Sequence, residues 1–244
     1  MKKIAELMTD VQLGTDDEYR VIPPVWHVAI AAGRRNQTDE IKAILDFTLP
    51  HDGEPLRDWE AVVVGGGIVN GVSQANVWPA RRIEEVIQGD EQLAARWTRT
   101  LTLSKDMSHN AAVKADTRYD ALRIIALMPF ADCRESLEKY LKPGTDPTLM
   151  QGAVSGLADV PQSEAAMLLA QAFNHLPDHL RPFALNGLAR ADGERVHLLD
   201  AIENNSFPAS RVPRPVIRKL LNHETAVIRA RAAVLFSEFA DKSE

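Results

Sequence analysis

The sequence predicts an all-α fold, specifically a right-handed α-α superhelix built as a solenoid of about six helical hairpins. Three observations predict it. Apolar residues recur at intervals of three and four from residue 22 to 240, the period of a helix that buries one face. The connections between these segments are short and marked by Pro, Gly, Asp or Asn, residues that end or start helices. A spacing of about thirty residues then repeats through the second half, which is the mark of stacked structural units.

Taken in order, the helical segments are expected at 24–34, 37–48, 58–75, 79–88, 91–106, 117–128, 131–142, 146–158, 163–174, 178–190, 194–204, 213–222 and 225–240. Start and stop signals support these limits. Pro161 and Ser163 precede Glu164, Pro177 and Asp178 open the next segment, and Gly193 separates the one after it. Residues 1–20 are read as an irregular or helical cap, and 21–244 as one repeat domain by continuity of the pattern.

The repeat itself is visible in single residues. Leu137, Leu168 and Leu199 are spaced by 31 and 31 on the second helices of successive pairs, and Leu127, Leu157 and Leu188 by 30 and 31 on the first helices. Ala153-Val154-Ser155-Gly156-Leu157-Ala158 aligns with Ala184-Leu185-Asn186-Gly187-Leu188-Ala189. A small residue beside a large apolar one lets neighbouring helices approach and interdigitate. Each unit adds a nearest-neighbour interface, so one domain can extend to this length.

Two resemblances follow from particular stretches. Leu220-Leu221-Asn222-His223-Glu224-Thr225-Ala226-Val227-Ile228-Arg229-Ala230-Arg231-Ala232-Ala233 resembles the HEAT-repeat signature, in which a turn leads into a helix carrying Val-Arg-x-x-Ala. This implies a HEAT/armadillo-like solenoid. Trp59 to Gly71, then Leu93 and Trp97, and Leu198-Leu199-Asp200-Ala201-Ile202 leading into Leu220-Leu221-Asn222-His223, resemble the helical-repeat region of exported planctomycete and verrucomicrobial "membrane-bound dehydrogenase" proteins. In that family a β-propeller precedes the repeats and a cytochrome c module follows them. The resemblance implies an exported or periplasmic parent protein. This chain carries no propeller and no Cys-x-x-Cys-His, so sugar oxidation and electron transfer transfer to no residue here.

Composition narrows the function classes. With 45% hydrophobic and 25% charged residues, the chain has the makeup of a globular protein rather than of a disordered or collagenous one. Its 28 Lys and Arg against 34 Asp and Glu give a net charge of -6, so no global positive field gathers nucleic acid or anionic lipid. A single cysteine, Cys133, makes neither an intramolecular disulfide nor a Cys-based zinc cluster. Met1-Lys2-Lys3 begins like a signal peptide, but Ile4 to Asp10 supplies no apolar core of the required length. The expectation is a chain that stays in the cytoplasm or is a piece of something longer.

The candidate chemistry is thin. Ala61-Val62-Val63-Val64-Gly65-Gly66-Gly67-Ile68-Val69-Asn70-Gly71 resembles a dinucleotide-binding turn, with Gly65 and Gly67 in the first two glycine places but Asn70 in the third. Glu84 and Glu85 lie where the ribose-binding acid belongs, yet Ala80 to Gln88 reads as helix. The preferred reading is a repeat helix whose glycines admit a neighbouring helix or aromatic ring against its backbone. His175 and His179 have the i, i+4 spacing of a helical metal pair, but Pro177 between them points to a turn. His197 and His27 read as structural. Cys133 sits between Asp132 and Arg134 near a helix start, where a thiol can be activated, but without a nameable histidine partner it reads as a packing residue. Asp16-Asp17-Glu18 lacks the pattern of a calcium loop and reads as a solvated turn or helix start. No catalytic set, cofactor site or metal site is assigned.

Charge distribution is more informative than any motif. Between Phe207 and Leu235, six cations (Arg211, Arg214, Arg218, Lys219, Arg229 and Arg231) face the single anion Glu224, leaving a local surplus of five. The expectation is a non-enzymatic scaffold or protein-interaction module that spaces or presents other domains, with Arg214, Arg218, Arg229 and Arg231 holding an acidic partner. A HEAT-like nucleic-acid binder using the same arginines is the alternative. Within the repeat pattern, Arg229 and Arg231 also read as internal ties to helix-end carbonyls and to carboxylates of the adjacent repeat.

Overall fold

The computed structural model describes residues 1–240, and the chain divides into two compact units, Met1–Val160 and Pro161–Glu244. Both are helical, so the all-α expectation holds. The division falls inside the segment that the repeat pattern reads as continuous. Pro161, which opens the second unit, cannot donate a backbone hydrogen bond and therefore breaks helical continuity.

The first unit contains α1 (Lys2–Met8), α2 (Asp16–Arg35), α3 (Thr38–Thr48), α4 (Asp58–Ala61), a π-helical stretch (Val62–Val69), α5 (Asn70–Gln74), α6 (Pro79–Ile87), α7 (Glu91–His109), α8 (Ala115–Ile125), α9 (Phe130–Lys139) and α10 (Pro147–Leu157). Helix starts follow their caps. Asp90 accepts from the Leu93 amide at 3.1 Å to open α7, and Asp146 accepts from the Thr148 amide at 2.9 Å to open α10. Helix α2 begins eight residues before the expected 24. Thr15 accepts from the Asp17 amide at 3.2 Å, and Asp16, Asp17 and Glu18 fill the first turn, which favours the positive end of the helix dipole. Pro23 and Pro24, which look like a helix start in the sequence, lie inside this helix.

The core of this unit is the π-helical stretch, whose eight residues are all buried. Helices α2 and α8 pack on it, α10 packs on α8, and α7 packs on α8 from another side. The glycines make this possible. A Cβ on Gly65 would lie 2.2 Å from the Asp120 carbonyl oxygen, and one on Gly67 would lie 2.3 Å from the Ala29 methyl. Gly33 of α2 and Gly71 of α5 face each other so closely that a Cβ on either would come within 2.9 Å of the other's Cα. The dinucleotide turn that the glycines resemble is absent, because this stretch is helical from Asp58 to Gln74. The preferred reading, a helix whose glycines admit a neighbouring helix or an aromatic ring against its backbone, describes what is seen.

The second unit contains α11 (Ser163–Ala172), α12 (Arg181–Leu188), β1 (Ala191–Asp192), β2 (Arg195–Val196), α13 (His197–Glu203), a 3-10 turn (Ala209–Arg211), α14 (Arg214–Leu221), α15 (Ala226–Leu235) and α16 (Ser237–Ala240). Helix α12 starts at Arg181 rather than 178, with Pro182 in its first turn, the place proline tolerates best. The expected helix 194–204 is shorter because β1 and β2 form an antiparallel hairpin with Ala191 opposite Val196 and Asp192 opposite Arg195. Gly193 takes φ 62° at the first turn position, the requirement of a type II′ hairpin. The last expected helix is interrupted at Phe236, where φ is -112° and ψ is 19°; residues 241–244 of the expected repeat domain lie outside the described residues.

Within this unit α11 packs on α12 and α13, α13 packs on α15, and α14 packs on α15. The repeat leucines Leu168, Leu188 and Leu199 are buried here, as Leu127, Leu137 and Leu157 are in the first unit. Among the described residues no helix is long and apolar enough to cross a membrane.

Candidate basic interaction face

The basic stretch of the sequence becomes the 3-10 turn, α14 and α15, and its cations divide into two kinds. Arg231 is committed internally. Its guanidinium donates to both Glu203 oxygens at 2.9 and 2.8 Å and to Asp200 at 2.6 Å. Both carboxylates project from α13, so this fork ties neighbouring helices. Arg229 is turned the same way, donating to the carbonyls of His223 and Glu224 at 2.6 Å each. These are the internal roles the sequence allowed for them.

Arg214 and Arg218 differ. They lie one turn apart on α14, both exposed, and at i, i+4 they share one face of the helix. Among the described residues neither guanidinium has a hydrogen bond or ion pair, although the Arg218 carbonyl accepts from Asn222. Lys219 beside them is exposed as well. Helix α14 buries Ile217 and Leu220 on its other side, which fixes the orientation of the arginine face.

Next to the start of α14 lies a cleft of about 560 Å³, floored by Phe173, Pro182, Leu185 and Pro213 and rimmed by Arg181 and Arg211. Arg181 lies over the Phe173 ring, 5.8 Å from its centroid, and donates to Asp178 at 2.7 Å. Arg211 donates to Asn174. The sequence reading missed Arg181, whose only local signal is its place after the Pro177-Asp178 turn. Arg211 was counted in the basic stretch without its partner.

The remaining candidates are structural. His175 and His179 both lie in the turns between α11 and α12, so they share no helix face. His197 is buried, with Nε2 3.1 Å from the Pro161 carbonyl. His27 is exposed, its ring 4.7 Å from that of Trp26. Cys133 is fully buried, and burial pushes its thiol up to about 12, the opposite of an activated nucleophile. Glu18 of the acidic triplet is buried and accepts from the amides of Gly14 at 2.7 Å and Trp59 at 3.1 Å. It therefore clamps the entrance to α4 and is not free to bind a cation. Among the described residues no group of three or more His, Cys, Asp or Glu is placed to hold a metal ion.

Compared with known proteins, the chain matches no family model, no curated protein and no solved structure.

Proposed function

We propose that this chain is a non-enzymatic helical-repeat module that binds an acidic protein surface along α14. The observation that carries the reading is the contrast within one basic stretch: Arg229 and Arg231 are consumed by internal ties, whereas Arg214 and Arg218 stand exposed and unpaired among the described residues. A pair of guanidiniums at this spacing suits carboxylates presented on a partner. The cleft beside Pro213 adjoins this face with an apolar floor, its two arginines held by Asp178 and Asn174.

The HEAT-like, solenoid form of the reading rests on the 31-residue spacing and on the packing of alternate helices, α11 on α13 and α13 on α15. The family resemblance supports a spacing or presenting role within an exported multidomain redox protein. The test is fluorescence anisotropy of a labelled Glu-rich peptide with the whole chain, alongside duplex DNA of matched charge. Arg214→Glu with Arg218→Glu is expected to weaken peptide binding about tenfold or more, a change of roughly 1.4 kcal/mol. Unchanged peptide affinity overturns the reading. Tighter, steeply salt-dependent binding of DNA replaces it with the nucleic-acid alternative.

A further inference from the structure

The second basic concentration lies in the first unit and was invisible in the sequence. A depression of about 490 Å³ beside α7 and α9 is lined by Lys105, His109, Glu135, Ser136, Glu138, Lys139 and Lys142. Among the described residues none of the three lysines has a carboxylate within ion-pair distance. Glu138 is engaged with Arg134 at 3.6 Å. Lys105 donates to the Asp132 carbonyl at 2.9 Å, and Lys139 has its ammonium 3.4 Å from His109 Nδ1. Three lysines therefore line a solvent-open hollow together with Glu135 and Glu138, and among the described residues none of the three is ion-paired to either.

The hydrogen bonds around His109 define its proton. Tyr140 donates its hydroxyl hydrogen to the Ser108 carbonyl at 2.8 Å and accepts from Arg118 at 3.1 Å. Its oxygen, 3.2 Å from His109 Nδ1, is thus placed to accept from that nitrogen. His109 Nε2, 3.0 Å from Ser136 Oγ, is left to accept from the serine. In this tautomer Lys139 beside the ring contributes charge rather than a hydrogen bond. Partial burial and the charges of Lys139, Lys105 and Arg118 hold its pKa below the usual histidine value, with only Asp106 opposing them.

We propose that this hollow binds the oxyanion of a phosphomonoester, with Lys105, Lys139 and Lys142 supplying charge and the hydrogen-bonded pair Ser136 and His109 forming part of its wall. A phosphomonoester dianion answers three lysines with up to twice the charge of a carboxylate and offers each a strong acceptor oxygen. A bound dianion also reverses the field that the histidine feels, so its imidazolium form becomes favourable.

The test uses the whole chain and inorganic phosphate. Imidazole resonances of His109 are followed by NMR through a pH titration, with phosphate or with sodium chloride at matched ionic strength, and with the exposed His27 as internal control. The expected result is a saturable shift of the His109 signals and a rise of its pKa by about half a unit or more, as expected for an anion at contact distance. The His27 signals are expected to stay in place. Lys139→Met with Lys142→Met should weaken the apparent phosphate affinity about tenfold, the scale of two lost charge-assisted contacts. Both lysines are exposed, and circular dichroism confirms that the double variant keeps its helix. No phosphate-specific shift of His109, or equal affinity in the double variant, overturns the proposal.

Discussion

The Trp26 indole donates to the Gly66 carbonyl at 2.8 Å, joining a ring on α2 to the main chain of the buried π-helical stretch. Asp120 approaches the same glycine from α8: a Cβ on Gly66 would lie 2.4 Å from Asp120 Oδ1 and 3.1 Å from the Trp26 ring. The seam is therefore closed by main chain, one indole and one carboxyl. Burial holds the Asp120 carboxyl well above the usual carboxylate range, against the opposing pull of Arg123.

Gly65→Ala is expected to be severely destabilising. The new methyl would meet the Asp120 backbone, which cannot swing aside, and the cost should reach about 3 kcal/mol or more, the upper end of overpacking. Gly152→Ala is the control, because its Cβ would meet Leu122 Cδ1 at 3.0 Å and Tyr119 at 3.1 Å or more. It should lose less, offset by roughly 1 kcal/mol of improved helix propensity. Urea unfolding of both variants checks the difference.

Arg123 and Asp159 form an ion pair at 2.5 Å with both side chains buried, and Ser73 also donates to Asp159. Asp159→Asn leaves a buried guanidinium without its counter-charge, at a cost of about 3–5 kcal/mol. Arg123→Met combined with Asp159→Leu should cost much less than the two single changes added together. A double-mutant cycle by denaturant titration measures the coupling.

Glu60 is buried and accepts from the Arg57 amide at 2.8 Å. Burial raises its pKa from 4.5 to about 7. The folded chain therefore holds a proton that the unfolded chain has released between these values, and stability falls as pH rises through that window. Glu60→Gln should remove this slope and be the more stable form at pH 8 by about 1–3 kcal/mol. Melting temperatures at intervals across the window, for both proteins, decide it.

Cys133 has no access to solvent and a thiol pushed up to about 12. In native buffer it should resist a thiol-specific chromogenic reagent, and react completely once denaturant unfolds the chain. The rate of reaction against denaturant concentration then reports opening of the α9 region.

The helices were legible because their signals are local. Caps such as Asp90 and Asp146, and apolar residues at helical spacing, sit within a few residues of what they determine. The start of α2 lies eight residues before the expected one, and the helix runs through Pro23-Pro24 with Val25 and Ala29 buried and the Ala29 methyl against Gly67. The hairpin at Gly193 carried its signal in Asp192-Gly193, which was read as a separator. For the basic face, the tie from Arg231 to Asp200 spans 31 residues, the repeat spacing itself, so that commitment was readable. The grouping of His109 with Ser136 and Tyr140 joins residues 27 and 31 apart on different helices, and no local pattern announces it.

The contact of Gly33 with Gly71 has one more consequence. A pocket or groove made of side chains can breathe, because rotamers exchange within nanoseconds and let solvent in. Here two peptide backbones touch without any side chain between them, so nothing in the seam can rotate aside. Water reaches those amides only when α2 and α5 part as whole helices. Their protons should then exchange with deuterium at the rate of global opening of the first unit, which makes this pair of glycines an internal clock for its unfolding.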